Sequence, residues 1–112
     1  MDNVVRSAFA LKLKEGTRSK YIEYHKHIWP EIIQVIRETG ITNYSIYLSG
    51  DDTLFAYMEF SLGASMELFT ENLKKSARCR EWEEIMIGFQ QPLPYAKDGE
   101  WWVSLEEVFH ID

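Results

Sequence analysis

The run Leu54-Phe55-Ala56-Tyr57-Met58-Glu59-Phe60 reads as a β-strand whose two alternating sets of side chains are both apolar: Leu54, Ala56, Met58 and Phe60 point one way, Phe55 and Tyr57 the other. A sheet built on such a strand needs cover on both faces. Ile41 to Leu48 reads as its partner, and Ser49-Gly50-Asp51-Asp52 as the turn that closes a hairpin with Thr53 to Phe60. Upstream, Val4 to Leu13 is expected to form a first strand, with Val5, Phe9, Leu11 and Leu13 on one side and Arg6 and Lys12 on the other. Downstream, Met66, Phe69 and Leu73 recur at helical spacing over Ala64 to Lys75. Cys79, Trp82, Ile85, Met86 and Phe89 do the same over Arg78 to Phe89. Pro92 to Gly99 reads as a loop. Trp101 to Ile111 is expected to be a last strand with Val103, Leu105, Phe109 and Ile111 on one face.

Between the first strand and the hairpin lies Tyr21-Ile-Glu-Tyr-His25-Lys-His27-Ile-Trp29-Pro30-Glu31. Glu15-Gly16-Thr17 turns the chain into it, with Thr17 as the expected N-cap. Positions i and i+4 of a helix share a face, so Tyr21 and His25 point into the same space. Pro30 has no N–H and drives Trp29 out of helical geometry, which predicts a break at Ile28 to Trp29 and a new helix with Pro30 first. That second helix buries Ile32, Ile33 and Ile36 and stops at Gly40.

The order β-α-β-β-α-β defines an α+β fold, a ferredoxin-like antiparallel sheet with its helices on one face. The whole chain, residues 1–112, is expected to be one domain. Helices cover only one side of the sheet, so the second apolar face predicts a homodimer in which two copies pack sheet to sheet about a twofold axis, with a groove filled by the chain's own tail as the alternative.

Composition narrows the function. The net charge of −6 and the pI near 5.0 speak against nucleic acid, whose phosphates call for a basic face. No apolar run approaches the ~18 residues of a membrane span, and Met1-Asp-Asn-Val-Val-Arg lacks the basic-then-apolar order of a secretion signal. A soluble cytoplasmic protein is the expectation. The lone Cys79 excludes an internal disulfide and reads as a buried helix-face thiol. His25, His27 and His110 do not share metal-site spacing. Four Trp, six Tyr and six Phe are many for 112 residues, and several sit beside ionisable groups. Rings flanked by hydrogen-bonding groups suit a sugar, which offers C–H bonds to stack and hydroxyls to bind; an aromatic-rich core is the alternative. Glu59, in an otherwise apolar strand, is the carboxylate expected to face a pocket, because burying it unpaired is costly.

The blocks Tyr21, His25 and Ile28-Trp29-Pro30-Glu31, then Asn43-Tyr44-Ser-Ile-Tyr47-Leu48, Leu54-Phe55-Ala56, Cys79-Arg-Glu-Trp82 and Leu105-Glu-Glu-Val108-Phe109 resemble, in this order and spacing, the L-rhamnose mutarotase family. The resemblance covers nearly the whole chain. It implies a dimeric α+β barrel that interconverts the α and β anomers of L-rhamnose or a related 6-deoxy sugar without metal or organic cofactor. It puts His25 at the family's acid/base position, assisted by Tyr21, and Tyr21, Tyr44 and Trp82 at sugar-contacting positions; Trp29, Glu83 and Glu59 complete the expected binding set. Two positions depart from the pattern. Lys26-His27 stands where the family usually has Asn-Pro, and Glu83 stands where it usually has a second Trp. A carboxylate in place of a stacking ring keeps L-fucose or another sugar open as the substrate. The fold class also hosts cofactor-free oxygenases and haem-binding proteins, and a non-catalytic sugar-binding module is a further alternative.

Overall fold

The computed structural model describes residues 4–112, so the first three residues of the N-terminal reading lie outside the described part. The elements are β1 (Val5–Leu13), α1 (Arg18–Lys26), α2 (Pro30–Thr39), β2 (Ile41–Leu48), β3 (Thr53–Phe60), α3 (Met66–Lys74), α4 (Ala77–Phe89), β4 (Gln90–Gln91) and β5 (Val103–Leu105). The sheet order is β2-β3-β1-β4, with β5 also pairing β1, and every pairing is antiparallel. This is the ferredoxin-like arrangement, its fourth strand split into two short pieces.

The break at Trp29 falls as the sequence predicts. His27 caps α1, Trp29 is extended (φ −69°, ψ 136°), and Pro30 opens α2 where its missing N–H costs nothing. Thr17 stands at the N-cap of α1, but its hydroxyl does not cap the helix; it donates to the carbonyls of Lys14 and Phe89 and ties the turn to the end of α4. Gly40 ends α2 at φ 90°, and a Cβ there would collide with Ser61 Oγ.

Leu54, Ala56, Met58 and Phe60 of β3 face the helices together with Leu11 and Leu13 of β1, and all are buried. Tyr21, Ile32, Val35, Phe69, Leu73, Cys79, Trp82 and Met86 close the core from the helix side. The opposite face carries Phe55, 41% exposed, and Tyr47, 65% exposed, directly paired across β2 and β3.

Two local features depart from the expectation. The last strand does not run to Ile111: β5 ends at Leu105, and Val108, Phe109 and Ile111 are exposed. A strand lasts only while it has an edge to pair with, and β5 engages β1 only over Ala8 to Ala10. The second feature is a bulge in β2. Thr42 pairs Glu59 and Ser45 pairs Tyr57, so Asn43 and Tyr44 together oppose Met58 alone, with Asn43 left-handed at φ 49°. The extra residue flips the alternation. Tyr44 therefore joins Ile41, Ile46 and Leu48 on the helix side.

Candidate active site

The i,i+4 spacing on α1 brings Tyr21 and His25 into a ring stack with centroids 4.2 Å apart. His25 Nδ1 lies 2.9 Å from the Tyr21 carbonyl oxygen. A carbonyl oxygen only accepts, so Nδ1 carries the hydrogen, and Nε2 of the neutral ring is left as the nitrogen with the free lone pair. Burial pushes the imidazole below its ordinary pKa, opposed by the hydrogen bond to the Tyr21 backbone. The neutral base is thus the favoured form near neutral pH.

The aromatic wall comes from α4 and from the corner before α2. The buried Trp82 ring meets His25 edge-on with centroids 5.4 Å apart, Trp29 at 5.2 Å and Tyr24 at 5.8 Å. The Arg78 guanidinium stacks over the Trp29 ring at 3.5 Å and pairs with Glu81 at 3.2 Å, which holds the corner against α4. Tyr44 enters from β2 through the bulge. Burial, reinforced by the neighbouring Glu83 charge, pushes its hydroxyl up to about 12. Burial also drives the Tyr21 hydroxyl far above the usual phenol range; nearby Tyr44 adds to this, and a hydrogen bond with Gln90 opposes it. Both phenols are therefore hydrogen-bond donors at any physiological pH.

A cleft of about 260 Å³ lies between α1 and the sheet, with Tyr21, His25 and Lys26 on one wall and Ile46, Leu48 and Leu54 on the other. A larger hollow of about 500 Å³, lined by Lys20, Glu23, Tyr24, Glu84 and Ile85, opens between α1 and α4 but holds neither His25 nor Tyr21. Chemistry rather than size singles out the smaller one. Among the described residues, no group of three or more His, Cys, Asp and Glu side chains is arranged to hold a metal ion.

Of the expected residues, Tyr21 and His25 line the cleft; Trp82 and Trp29 continue from His25 as an edge-on ring chain, Tyr44 lies on the helix side of the sheet, Glu83 is half-buried on α4, and Glu59 lies elsewhere. Its strand neighbours Met58 and Phe60 face the helices, so Glu59 lies on the other face, where it accepts hydrogen bonds from Asn43 Nδ2 at 2.8 Å and the Tyr57 hydroxyl at 2.7 Å. These two bonds, Asn43 first, hold it below the usual carboxylate range. It is satisfied without a pocket. His27 is exposed, 3.4 Å from Glu23, and His110 pairs with Asp112 near the C-terminus. Sequence reasoning missed Gln90 and Trp101. Buried Gln90 accepts the Trp101 indole N–H at 2.9 Å while serving the Tyr21 hydroxyl. Their signal was a polar residue at the end of an apolar helix, two positions before Pro92.

A ferredoxin-like sheet with an imidazole stacked on a phenol at the wall of a largely apolar cleft defines a small α+β protein with a group suited to acid–base chemistry. The profile of the family described as L-rhamnose mutarotase matches residues 6–111. An L-rhamnose mutarotase of Flavobacterium johnsoniae is 33% identical over 113 residues, covering 100% of both chains. One of Formosa agariphila is 32% identical over 109 residues, covering 96% of this chain and 98% of the relative. The crystal structure of an L-rhamnose mutarotase from Formosa agariphila superimposes with a TM-score of 0.73 at 30% identity, covering 96% of this chain and 99% of that one. A monooxygenase-like protein from Nitrosomonas europaea, described as a putative antibiotic biosynthesis enzyme, shares the fold alone, with a TM-score of 0.57 at 13% identity over 97% of this chain and 94% of that one. The chain belongs to the L-rhamnose mutarotase family.

Proposed function

We propose that this protein interconverts the α and β anomers of L-rhamnose or a related 6-deoxy sugar by opening and reclosing the sugar ring through acid–base catalysis. His25 is the principal acid/base. Tyr21 assists by stacking on the imidazole and donating a hydrogen bond, and Tyr44, Trp82, Trp29 and Glu83 surround the sugar. The observation that carries this reading is the 2.9 Å contact of His25 Nδ1 with the Tyr21 carbonyl, which fixes the tautomer and frees Nε2 as the base. In the forward step Nε2 takes the anomeric hydroxyl proton, the C1–O5 bond breaks as the C1 carbonyl forms, and O5 receives a proton. Rotation about C1–C2 and the reverse steps close the ring on the other face. Such proton transfers near neutral pH typically contribute about 10²- to 10⁴-fold.

Family membership supports the substrate class, and Glu83 in place of a stacking ring keeps L-fucose or another sugar as the second reading. We further propose a cytoplasmic homodimer. The apolar pair Tyr47 and Phe55 on the sheet face away from the helices supports self-association, as exposed apolar patches do in general. The free, buried Cys79 is compatible with a reducing compartment.

Saturation-transfer NMR of anomer exchange on L-rhamnose, L-fucose, D-glucose and a uronate, with and without protein, tests this. Accelerated exchange of L-rhamnose is expected. Acceleration of L-fucose alone would move the substrate, and acceleration of none would overturn the mutarotase reading.

A further inference from the structure

The cleft of about 260 Å³ that holds His25 is apolar on its sheet side, and its α1 wall is built in two rungs. Tyr21 and His25, four residues apart, form the inner rung, Tyr21 buried and His25 half-buried. Ile22 and Lys26, also four apart, form the outer rung and are exposed to solvent. Among the described residues that line this cleft, Lys26 carries the only fixed positive charge, and no Asp or Glu stands with it. Nor does any described carboxylate pair with its ammonium: Glu23, three residues before it on α1, lies 3.4 Å from His27 instead. The family usually has an asparagine at this position, so the charge belongs to this chain.

Resting on the mutarotase reading, we propose that Lys26 is a specificity-determining residue that lets the site accept an anionic sugar, a hexuronate whose C6 carboxylate pairs with the ammonium at the cleft mouth while its anomeric centre meets His25. The connectivity of a pyranose matches the order of the wall residues. The ring oxygen joins C1 to C5, so the C6 group is the exocyclic substituent beside the anomeric centre, as Lys26 is the residue beside His25. Consecutive helix residues point about 100° apart, so the two ends of that ring edge are gripped from two directions. The C–H bonds of the ring lie against Ile46, Leu48 and Leu54. A compact cation with three donors on a flexible stem suits a carboxylate met at a rim. Because Lys26 is exposed, its charge is held there without desolvation, and an unpaired cation in an otherwise apolar lining draws in an anion despite the net charge of −6. A lysine in the last turn also complements the C-terminal dipole of α1, but that role does not discriminate between sugars.

The probes are L-rhamnose and L-mannuronate, which share every ring stereocentre and differ only in a methyl or a carboxylate at C6. In saturation-transfer NMR, wild type is expected to accelerate the anomer exchange of both. The ratio of L-mannuronate to L-rhamnose exchange should fall about fivefold in Lys26→Met and recover in Lys26→Arg. It should fall likewise in wild type at about 1 M salt, where charges are screened beyond about 3 Å. Taking the ratio within each variant cancels any loss that comes through the fold or the α1 dipole. An unchanged ratio in folded Lys26→Met overturns the proposal. So does a wild type that accelerates L-rhamnose alone, which leaves the mutarotase reading standing. Acceleration of L-mannuronate alone, lost in Lys26→Met, upholds the proposal and moves the substrate away from the deoxy sugar. Acceleration of neither removes both.

Discussion

The two faces of the β2-β3-β1 sheet are built from alternate residues of the same strands, yet they do different work. On the helix side, Leu11, Leu54 and Met58 vanish from solvent, and α1 and α4 bring Tyr21, His25 and Trp82 against this face. On the other side, Tyr47 and Phe55 lie open beside a polar cluster in which Asn43 and Tyr57 bind Glu59, and Arg6 grips Glu107 through two contacts of 2.9 Å. Each face holds one informative carboxyl group. Glu59 accepts two hydrogen bonds that hold it below the usual carboxylate range, whereas burial holds Glu83 above it.

Changes on the helix face should cost the most stability. Leu54→Ala removes a fully buried side chain, and chemical denaturation should show a loss of about 2–5 kcal/mol. Its chain neighbour Phe55 and the paired Tyr47 on the other face should behave in the opposite way. The double change Tyr47→Ser and Phe55→Ser is expected to leave the fold's near-UV circular dichroism intact while weakening self-association by about 2 kcal/mol or more in sedimentation. An unchanged dimer constant would show that the open face is not the contact.

The pH dependence sharpens the contrast further, because it reports only the helix side. The active imidazole is neutral and its pKa is depressed by burial, so exchange should hold at neutral pH and fall as pH drops through that lowered value. The midpoint of the limb should lie below the ordinary histidine value of about 6.5, with about a tenfold loss per further pH unit. A midpoint above that value would contradict the burial of His25. The smallest effect belongs to Arg6→Ala. Its ion pair with Glu107 is solvent-exposed, and its loss should leave the denaturation midpoint nearly unchanged and exchange unaltered.

Much of this contrast was legible from residue order. The parity of Leu54 to Phe60 announced a sheet with apolar residues on both faces, and Pro30 fixed the corner at Trp29, because both are local effects of side-chain spacing and backbone chemistry. The i,i+4 pair Tyr21 and His25 was legible for the same reason. What failed depended on partners distant in sequence. Glu59 was read into a pocket because its cost of burial was visible and its two donors were not: Asn43 reaches it only through the bulge that also turns Tyr44 inward. β5 stops at Leu105 because its edge contact with β1 ends there, and the two-residue β4 carries no periodicity to read. Gln90 and Trp101 were missed because their bond joins the end of α4 to a residue beyond an intervening loop.

The most direct test of the account compares anomer exchange of L-rhamnose by wild type and His25→Ala, with folding checked by circular dichroism and sugar affinity measured alongside. The account predicts a folded, sugar-binding variant whose exchange is down by about 100-fold or more. Exchange near the wild-type rate in that folded variant would remove His25 from the mechanism and contradict the account.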